Sequence, residues 1–247
     1  MRLDWLTARP IAHRGLHDAS TGVVENTVSA FKAAIDGGFG IETDLQISRD
    51  GEAMVHHDFA LGRLTHGSRQ LAAMTAAGLK DVPFKAASDR MITLGELCEF
   101  VAGRAPLMIE LKSRFDGDQR LVTRAAQVLK TYAGPAAVMS FDPFLIEALR
   151  TLAPGLPRGI VAERHYGDTE WRELTARQRR SLAFLLHAPR TRPHFVAYHV
   201  KDLPSPGPWI ARNIFGLPLL AWTVRSEQDR ERARKWANQM VFEGFRP

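Results

Sequence analysis

The chain holds one cysteine, Cys98, in 247 residues, so no disulfide can form within it, and a reducing compartment fits. No window approaches 18 uncharged apolar residues, so no transmembrane helix is expected. The N-terminal MRLDWLTARP carries Asp4 and Arg9 where a secretory signal would need an unbroken apolar stretch. Low-complexity segments and short internal repeats are also missing, which argues against disordered and solenoid architectures. From these absences a cytoplasmic globular protein is expected. With 45% hydrophobic and 24% charged residues, the composition is that of an ordinary packed domain.

Acidic residues are the scarcer charge, 27 against 33 Lys and Arg, which leaves a formal charge of +6. The excess gathers in the last third, at Arg172, Arg177, Arg179 and Arg180, and again at Arg230, Arg232, Arg234 and Lys235. Both groups are interleaved with acids (Glu170, Glu173, Glu227, Asp229, Glu231), the pattern of a solvated helix face, so no nucleic-acid partner is expected. No exposed apolar patch or amphipathic anchor is evident either, and the oligomeric state is not legible.

Eight short apolar segments read as buried parallel strands, at about 10–13, 40–46, 107–111, 136–140, 158–162, 195–200, 218–223 and 239–243. Amphipathic stretches lie between most of them, among them NTVSAFKAAIDGG, TLGELCEFVAG, DQRLVTRAAQVLKTYAG, PFLIEALRTLAPG and SEQDRERARKWANQ. Strand and helix alternating eight times predict an α/β fold, a (β/α)₈ TIM barrel formed by one domain over residues 1–247. One segment breaks the alternation. Asp50-Gly51 between two strand-like runs signals a hairpin, so residues 53–57 are predicted as a return strand antiparallel to the second. An insertion at about 59–91 follows, long enough to cover the barrel mouth.

Polar residues interrupt the strands where a barrel carries its chemistry, at their C-terminal ends. IAHRG supplies His13 and Arg14, GIETDLQ supplies Glu42 and Asp44, and LMIELK supplies Glu110 and Lys112. Period-two alternation puts Glu42 and Asp44 on one face, and Glu110 and Lys112 on one face. Three carboxylates at core-like positions would each cost several kcal/mol if unpaired, on the order of 3–5 kcal/mol where a buried partner is lost. A hard divalent cation, Mg²⁺ or Ca²⁺, removes that cost. No Cys/His spacing suggests zinc. The competing reading is a structural ion-pair network with Arg14 and Lys112.

His13 and His57 are candidates for a general acid–base pair, and Arg14 and Lys112 for binding a phosphate oxyanion. Trp222 reads either as core or as a wall of the substrate pocket. Glu25-Asn26-Thr27, just before a helix, reads either as part of the site or as a simple cap through Asn26 or Thr27, and His187, His194 and His199 read as structural or solvated.

The runs IAHRG, ENTVSAFKAAIDGG, GIETDLQISRDGEAMVHHDFALGRLT and LMIELK, continued in VMSFDPFLIEALR and LAWTVRSEQD, make the chain resemble the glycerophosphodiester phosphodiesterase family. The resemblance implies metal-dependent hydrolysis of a small glycerophosphodiester to sn-glycerol 3-phosphate and an alcohol. By position it makes His13 and His57 the acid–base pair, Glu42, Asp44 and Glu110 the metal ligands, and Arg14 and Lys112 the phosphate contacts. It also implies attack by the neighbouring glycerol hydroxyl, giving a cyclic phosphate that water opens. The sequence departs from the family pattern at Val24, after His57-Asp58 (where Arg63 is kept), and at VFEGFRP, where Glu243 is the candidate replacement for a usual aspartate. Alternative readings are lysophospholipase D-type hydrolysis of a lipid phosphodiester and a non-catalytic barrel that binds phosphorylated ligands or polyanions.

Overall fold

The structure is a computed structural model that describes residues 3–167, 171 and 174–247. Arg172, Glu170 and Glu173 of the first basic cluster lie outside the described residues. Nine strands form one sheet: β1 (Ile11–Ala12), β2 (Gly40–Ile47), β3 (Ala53–Val55), β4 (Leu107–Leu111), β5 (Ala136–Ser140), β6 (Arg158–Ala162), β7 (Phe195–His199), β8 (Leu219–Val224) and β9 (Gln239–Phe242). The helices described are α1 (Asp4–Thr7), α2 (Val28–Asp36), α3 (Ala76–Lys80), α4 (Leu94–Val101), α5 (Arg120–Leu129), α6 (Pro143–Leu152), α7 (Ala176–Ala183), α8 (Ala188–Thr191), α9 (Pro206–Asn213) and α10 (Glu227–Trp236). The spatial order is β1-β9-β8-β7-β6-β5-β4-β2, and β1 also pairs with β2, which closes an eight-stranded parallel barrel.

Alternation sorts each strand into two cores. Ile11, Met108, Ala137, Met139, Val161, Phe195, Ala197, Leu220 and Val241 form the cluster inside the barrel. Their neighbours of opposite parity, such as Ile41, Leu107, Ile109, Val138, Val196 and Ala221, pack outward against the helices. Helix α1 lays Leu6, which is 1% exposed, against the inner cluster. Gly159 is required here: a Cβ at that position would meet the Phe195 ring at 2.3 Å, so Phe195 fills space that its neighbour on β6 vacates.

The hairpin forms as read, with Leu45 opposite Val55, Gln46 opposite Met54 and Ile47 opposite Ala53. Its return strand stops at Val55, two residues short of the expected end. The His56 N–H still bonds the Asp44 carbonyl (3.0 Å), while the His57 carbonyl accepts from the Gln46 side chain (2.8 Å), which turns the chain out of the ladder. The insertion carries α3 and a small core of Met54, Leu61, Leu71, Leu79 and Met91.

Phe144, Phe184, Leu186, Trp209, Ile210, Ile214 and Phe215 are exposed, on or beside helices α6, α7 and α9. Periodicity within one short helix cannot show whether a neighbour covers it, so the sequence did not reveal this surface. Among the described residues no helix is long and apolar enough to cross a membrane.

Candidate active site at the barrel mouth

Strand register assembles the carboxylates. Asp44 and Glu110 are direct partners across β2 and β4, and Glu42 lies two residues before Asp44 on the same face. Ligand oxygens of Glu42, Asp44 and Glu110 all lie within 4.8 Å of one another, and all three side chains are buried. Burial, followed by the charges of Asp44 and Glu110, pushes the Glu42 carboxyl well above its usual range. Glu110 is raised, first by burial and then by Asp44, although Lys112 opposes the shift. Asp44 is held low. Burial opposes this, but Lys112, His57, Arg14 and His13 together outweigh it. Three crowded oxygen donors, two of them unwilling to ionise, are the donor set that a divalent cation satisfies.

Arg14 and Lys112, the cations predicted for phosphate, lie against the carboxylates. Lys112 Nζ lies 2.8 Å from Glu110 Oε1 and 3.1 Å from Asp44 Oδ1, the second contact out of hydrogen-bonding alignment. Arg14 follows β1 in a left-handed turn (φ 56°), which aims its backbone N–H at Glu42 Oε2 (2.9 Å) and its guanidinium at Glu25 (2.7 Å) and Asp44 (3.3 Å). Gly15 continues the turn at φ 79°, with the Ala30 backbone 2.9 Å from where a Cβ would sit.

Each candidate histidine has one ring nitrogen fixed by a carboxylate. His13 Nδ1 is 2.7 Å from Glu243 Oε2, and His57 Nδ1 is 2.8 Å from Asp58 Oδ1. His13 Nε2 points toward Glu42 Oε2 at 3.9 Å. Burial lowers the His13 pKa to about 4, so its imidazole is neutral near pH 7. The adjacent His56 is 1% exposed and packed behind the mouth, and burial lowers its pKa to about 4 as well. Trp222, on the inner face of β8, stacks edge-on to Phe141 (5.5 Å) and His199 (5.2 Å). It forms an aromatic wall beside the charged residues.

Sequence reasoning left the roles of several supporting residues unassigned. Asn26 does more than precede a helix: held at φ 57°, it donates to Asp44 Oδ2 (2.9 Å) and accepts from Thr43 Oγ1 (2.8 Å), while Thr27 supplies the cap of α2. Arg63 bridges Glu25 and Asp58, at 2.7 Å to each, and thereby links Arg14 to His57. Arg225 donates to Glu243 at 2.8 Å. Glu243 was singled out only by comparison with the family's C-terminal pattern; it follows β9 directly and reaches His13 from there.

Against known proteins, a glycerophosphodiester phosphodiesterase of Caldanaerobacter subterraneus subsp. tengcongensis is 29% identical over 235 residues, covering 91% of this chain and 89% of that protein. One from Bacillus subtilis is 27% identical over 259 residues, covering 95% and 83%. Among solved structures, the fold is shared with an Oleispira antarctica phosphodiesterase in complex with the product sn-glycerol-3-phosphate (TM-score 0.77, 22% identity, 96% of this chain and 94% of that one). It is shared also with the Thermotoga maritima glycerophosphodiester phosphodiesterase (TM-score 0.71, 23% identity, 94% and 92%). Residues 13–245 match the Glycerophosphoryl diester phosphodiesterase family, and this chain belongs to it.

Proposed function

We propose that the protein hydrolyses glycerophosphodiesters to sn-glycerol 3-phosphate and an alcohol, with the whole chain acting as one catalytic unit. The observation that carries this reading is the convergence of two carboxylate-anchored imidazoles, two cations and three buried carboxylates on one barrel mouth. Glu42, Asp44 and Glu110 would hold a divalent cation, which supplies charge neutralisation at the phosphate oxygens when bound. Their spread of up to 4.8 Å lies within the span of two Ca²⁺–O bonds (about 4.6–5.2 Å) and just beyond that of two Mg²⁺–O bonds (about 4.0–4.2 Å). Relief of their mutual repulsion would draw them inward, which keeps both ions in play.

Arg14 and Lys112 place positive charge beside the carboxylates, where a phosphodiester would bring negative charge. One histidine accepts the proton of the glycerol 2-hydroxyl as its oxygen bonds to phosphorus. The other donates a proton to the departing alkoxide as its bond to phosphorus breaks. Water then opens the cyclic phosphate with the proton transfers reversed. Glu243 and Asp58 hold the Nδ1 atoms and leave Nε2 as the working nitrogen on each ring. The site keeps every acid, base and ligand that a catalytically silent barrel would be expected to have lost. Cys98 is buried and burial pushes its thiol up to about 12, so it takes no part in the proposed chemistry.

A coupled assay for glycerol 3-phosphate release from several glycerophosphodiesters, with and without chelator, tests reaction and metal together. Release that depends on Mg²⁺ or Ca²⁺ is the expected result. Binding of substrate without turnover in either metal would overturn the reading.

A further inference from the structure

We propose that the outer face of α9, with the basic niche beside it, docks on the surface of an anionic phospholipid bilayer. Helix α9 is built inside out. Its small residues Gly207, Pro208 and Ala211 are buried, while Trp209, Ile210 and Ile214 are 47%, 44% and 64% exposed, followed by Phe215 at 71%. A helix on the flank of a barrel ordinarily turns its large apolar residues inward. Gly207 shows why this one does not: a Cβ there would meet the Phe184 backbone at 3.1 Å, so a larger inner residue would push α9 away. Large apolar side chains gathered on one surface helix mark a contact site, unlike the scattered exposure of single residues. None of them belongs to the site at the barrel mouth, so the proposal stands independently of the hydrolase reading.

Charge says what the face meets. From Leu174 to Ser226 the chain carries eight Lys or Arg and a single acid, Asp202. That carboxylate is already engaged: it accepts from the Arg164 N–H (2.8 Å) and holds His165 Nδ1 (2.9 Å). A niche of about 180 Å³ adjoins the apolar face, lined by Trp209, Arg212 and Asn213 of α9 and by Lys235 and Trp236 of α10. It presents two cations and no carboxylate. Neither Arg212 nor Lys235 forms an ion pair with a described residue, Glu231 one turn before Lys235 included, and Lys235 stands over the Trp236 ring at 5.1 Å.

Apolar anchors beside unpaired cations match the interface of a bilayer whose lipids carry negative charge. Trp, Ile and Phe side chains settle at the boundary of head groups and acyl chains, where an indole keeps its N–H at the polar level. Arg212 offers a fork of donors that fits phosphate oxygens, and Lys235 adds a point charge beside it. Both would gain from the negative potential of such a surface. A second copy of the chain is the poorer occupant. A two-fold interface sets one patch against itself, which would bring Arg212 and Lys235 toward their counterparts with no carboxylate in the niche to separate them.

The test is co-sedimentation of the full chain with extruded vesicles of phosphatidylcholine alone and of phosphatidylcholine with about 30% phosphatidylglycerol. Binding about tenfold or more tighter to the anionic vesicles, and weakened by added salt, is the expected result. Ile214→Asp combined with Phe215→Ser should abolish sedimentation with either vesicle. Arg212→Gln combined with Lys235→Gln should lower binding to the level seen with phosphatidylcholine alone. Circular dichroism and Tm establish that each variant folds as the wild type does, and all four positions lie on the surface described above. Absence of binding to the anionic vesicles, equal binding to both compositions, or undiminished binding by either double variant overturns the proposal. So does a dimer in sedimentation velocity that Ile214→Asp with Phe215→Ser dissociates, since the face would then belong to a second copy.

Discussion

His13 and Glu243 lie 230 positions apart in the sequence and 2.7 Å apart across the β1–β9 seam of the barrel. Ile11 pairs with Val241 and Ala12 with Phe242, so the next step along both strands brings the imidazole and the carboxylate together. Arg225 holds the same carboxylate oxygen at 2.8 Å, and His13 with Arg225 keeps Glu243 well below its usual range despite burial. The final residues of the chain therefore fix the orientation of a histidine near its beginning.

Glu243→Gln should lower kcat by about 10²-fold, because an amide can present its NH₂ to Nδ1 and favour the wrong tautomer. Glu243→Asp should recover part of the loss, and thermal stability should change little in either. Equal kcat in wild type and Glu243→Gln would show that the contact serves only to join the strands.

Removing metal should uncover the repulsion among the carboxylates, and its sign can be worked out. Glu42 and Glu110 have folded pKa values above 4.5, so above that pH the unfolded chain ionises while the folded one retains protons. The metal-free protein then loses stability as pH rises through the folded values. Asp44 acts oppositely, but only as pH falls below 3.8. In chelator, Glu42→Gln should match wild type in Tm near pH 4 and exceed it increasingly as pH rises. With saturating Mg²⁺ or Ca²⁺ the order should reverse. Calorimetry across pH checks both, and a pH-independent difference would remove the carboxylate repulsion from the account.

Lys112→Met should reduce kcat/KM by roughly 10²-fold or more, the scale of losing one donor to a developing oxyanion. Because Lys112 also faces Asp44 and Glu110, metal affinity is to be measured in the same variant. Wild-type kinetics with weakened metal binding would make Lys112 a counter-ion to the carboxylates alone.

The barrel was legible because each strand is short, apolar and bounded, and all eight appear within a few residues of where the pattern puts them. The candidate metal ligands Glu42, Asp44 and Glu110 were legible because a charge inside an apolar strand is conspicuous, and Arg14 and Lys112 because they stand just past the ends of such strands. Glu25, Asn26, Arg63 and Arg225 were not. They sit in loops, where a polar residue is the norm, and their roles arise only once loops from distant strands meet over the mouth. The exposure of Phe144 and Leu186 was hidden for a related reason, since the periodicity of one short helix does not say whether a neighbour covers it.

Two neighbouring histidines separate catalysis from packing. His57 is partly exposed, with Nδ1 on Asp58, while His56 is buried and its Nδ1 lacks a partner. His57→Ala should cost about 10²–10⁴-fold in kcat, the usual worth of a general acid or base. His56→Ala should stay within several-fold in kcat and instead lower thermal stability by leaving a cavity beside Asp44. Its sign with pH is fixed: the buried imidazole, lowered to about 4, stays neutral while the unfolded chain protonates below 6.5, so its neutral burial costs stability as pH falls from 6.5 toward 4. The stability deficit of His56→Ala relative to wild type should therefore shrink across that interval. A p-nitrophenyl ester of glycerol phosphate, whose leaving group needs no proton, should restore much of the rate to whichever of His13→Ala and His57→Ala lost the general acid. An inactive His56→Ala beside an active His57→Ala would mean that the ring on the buried side of the hairpin carries the proton.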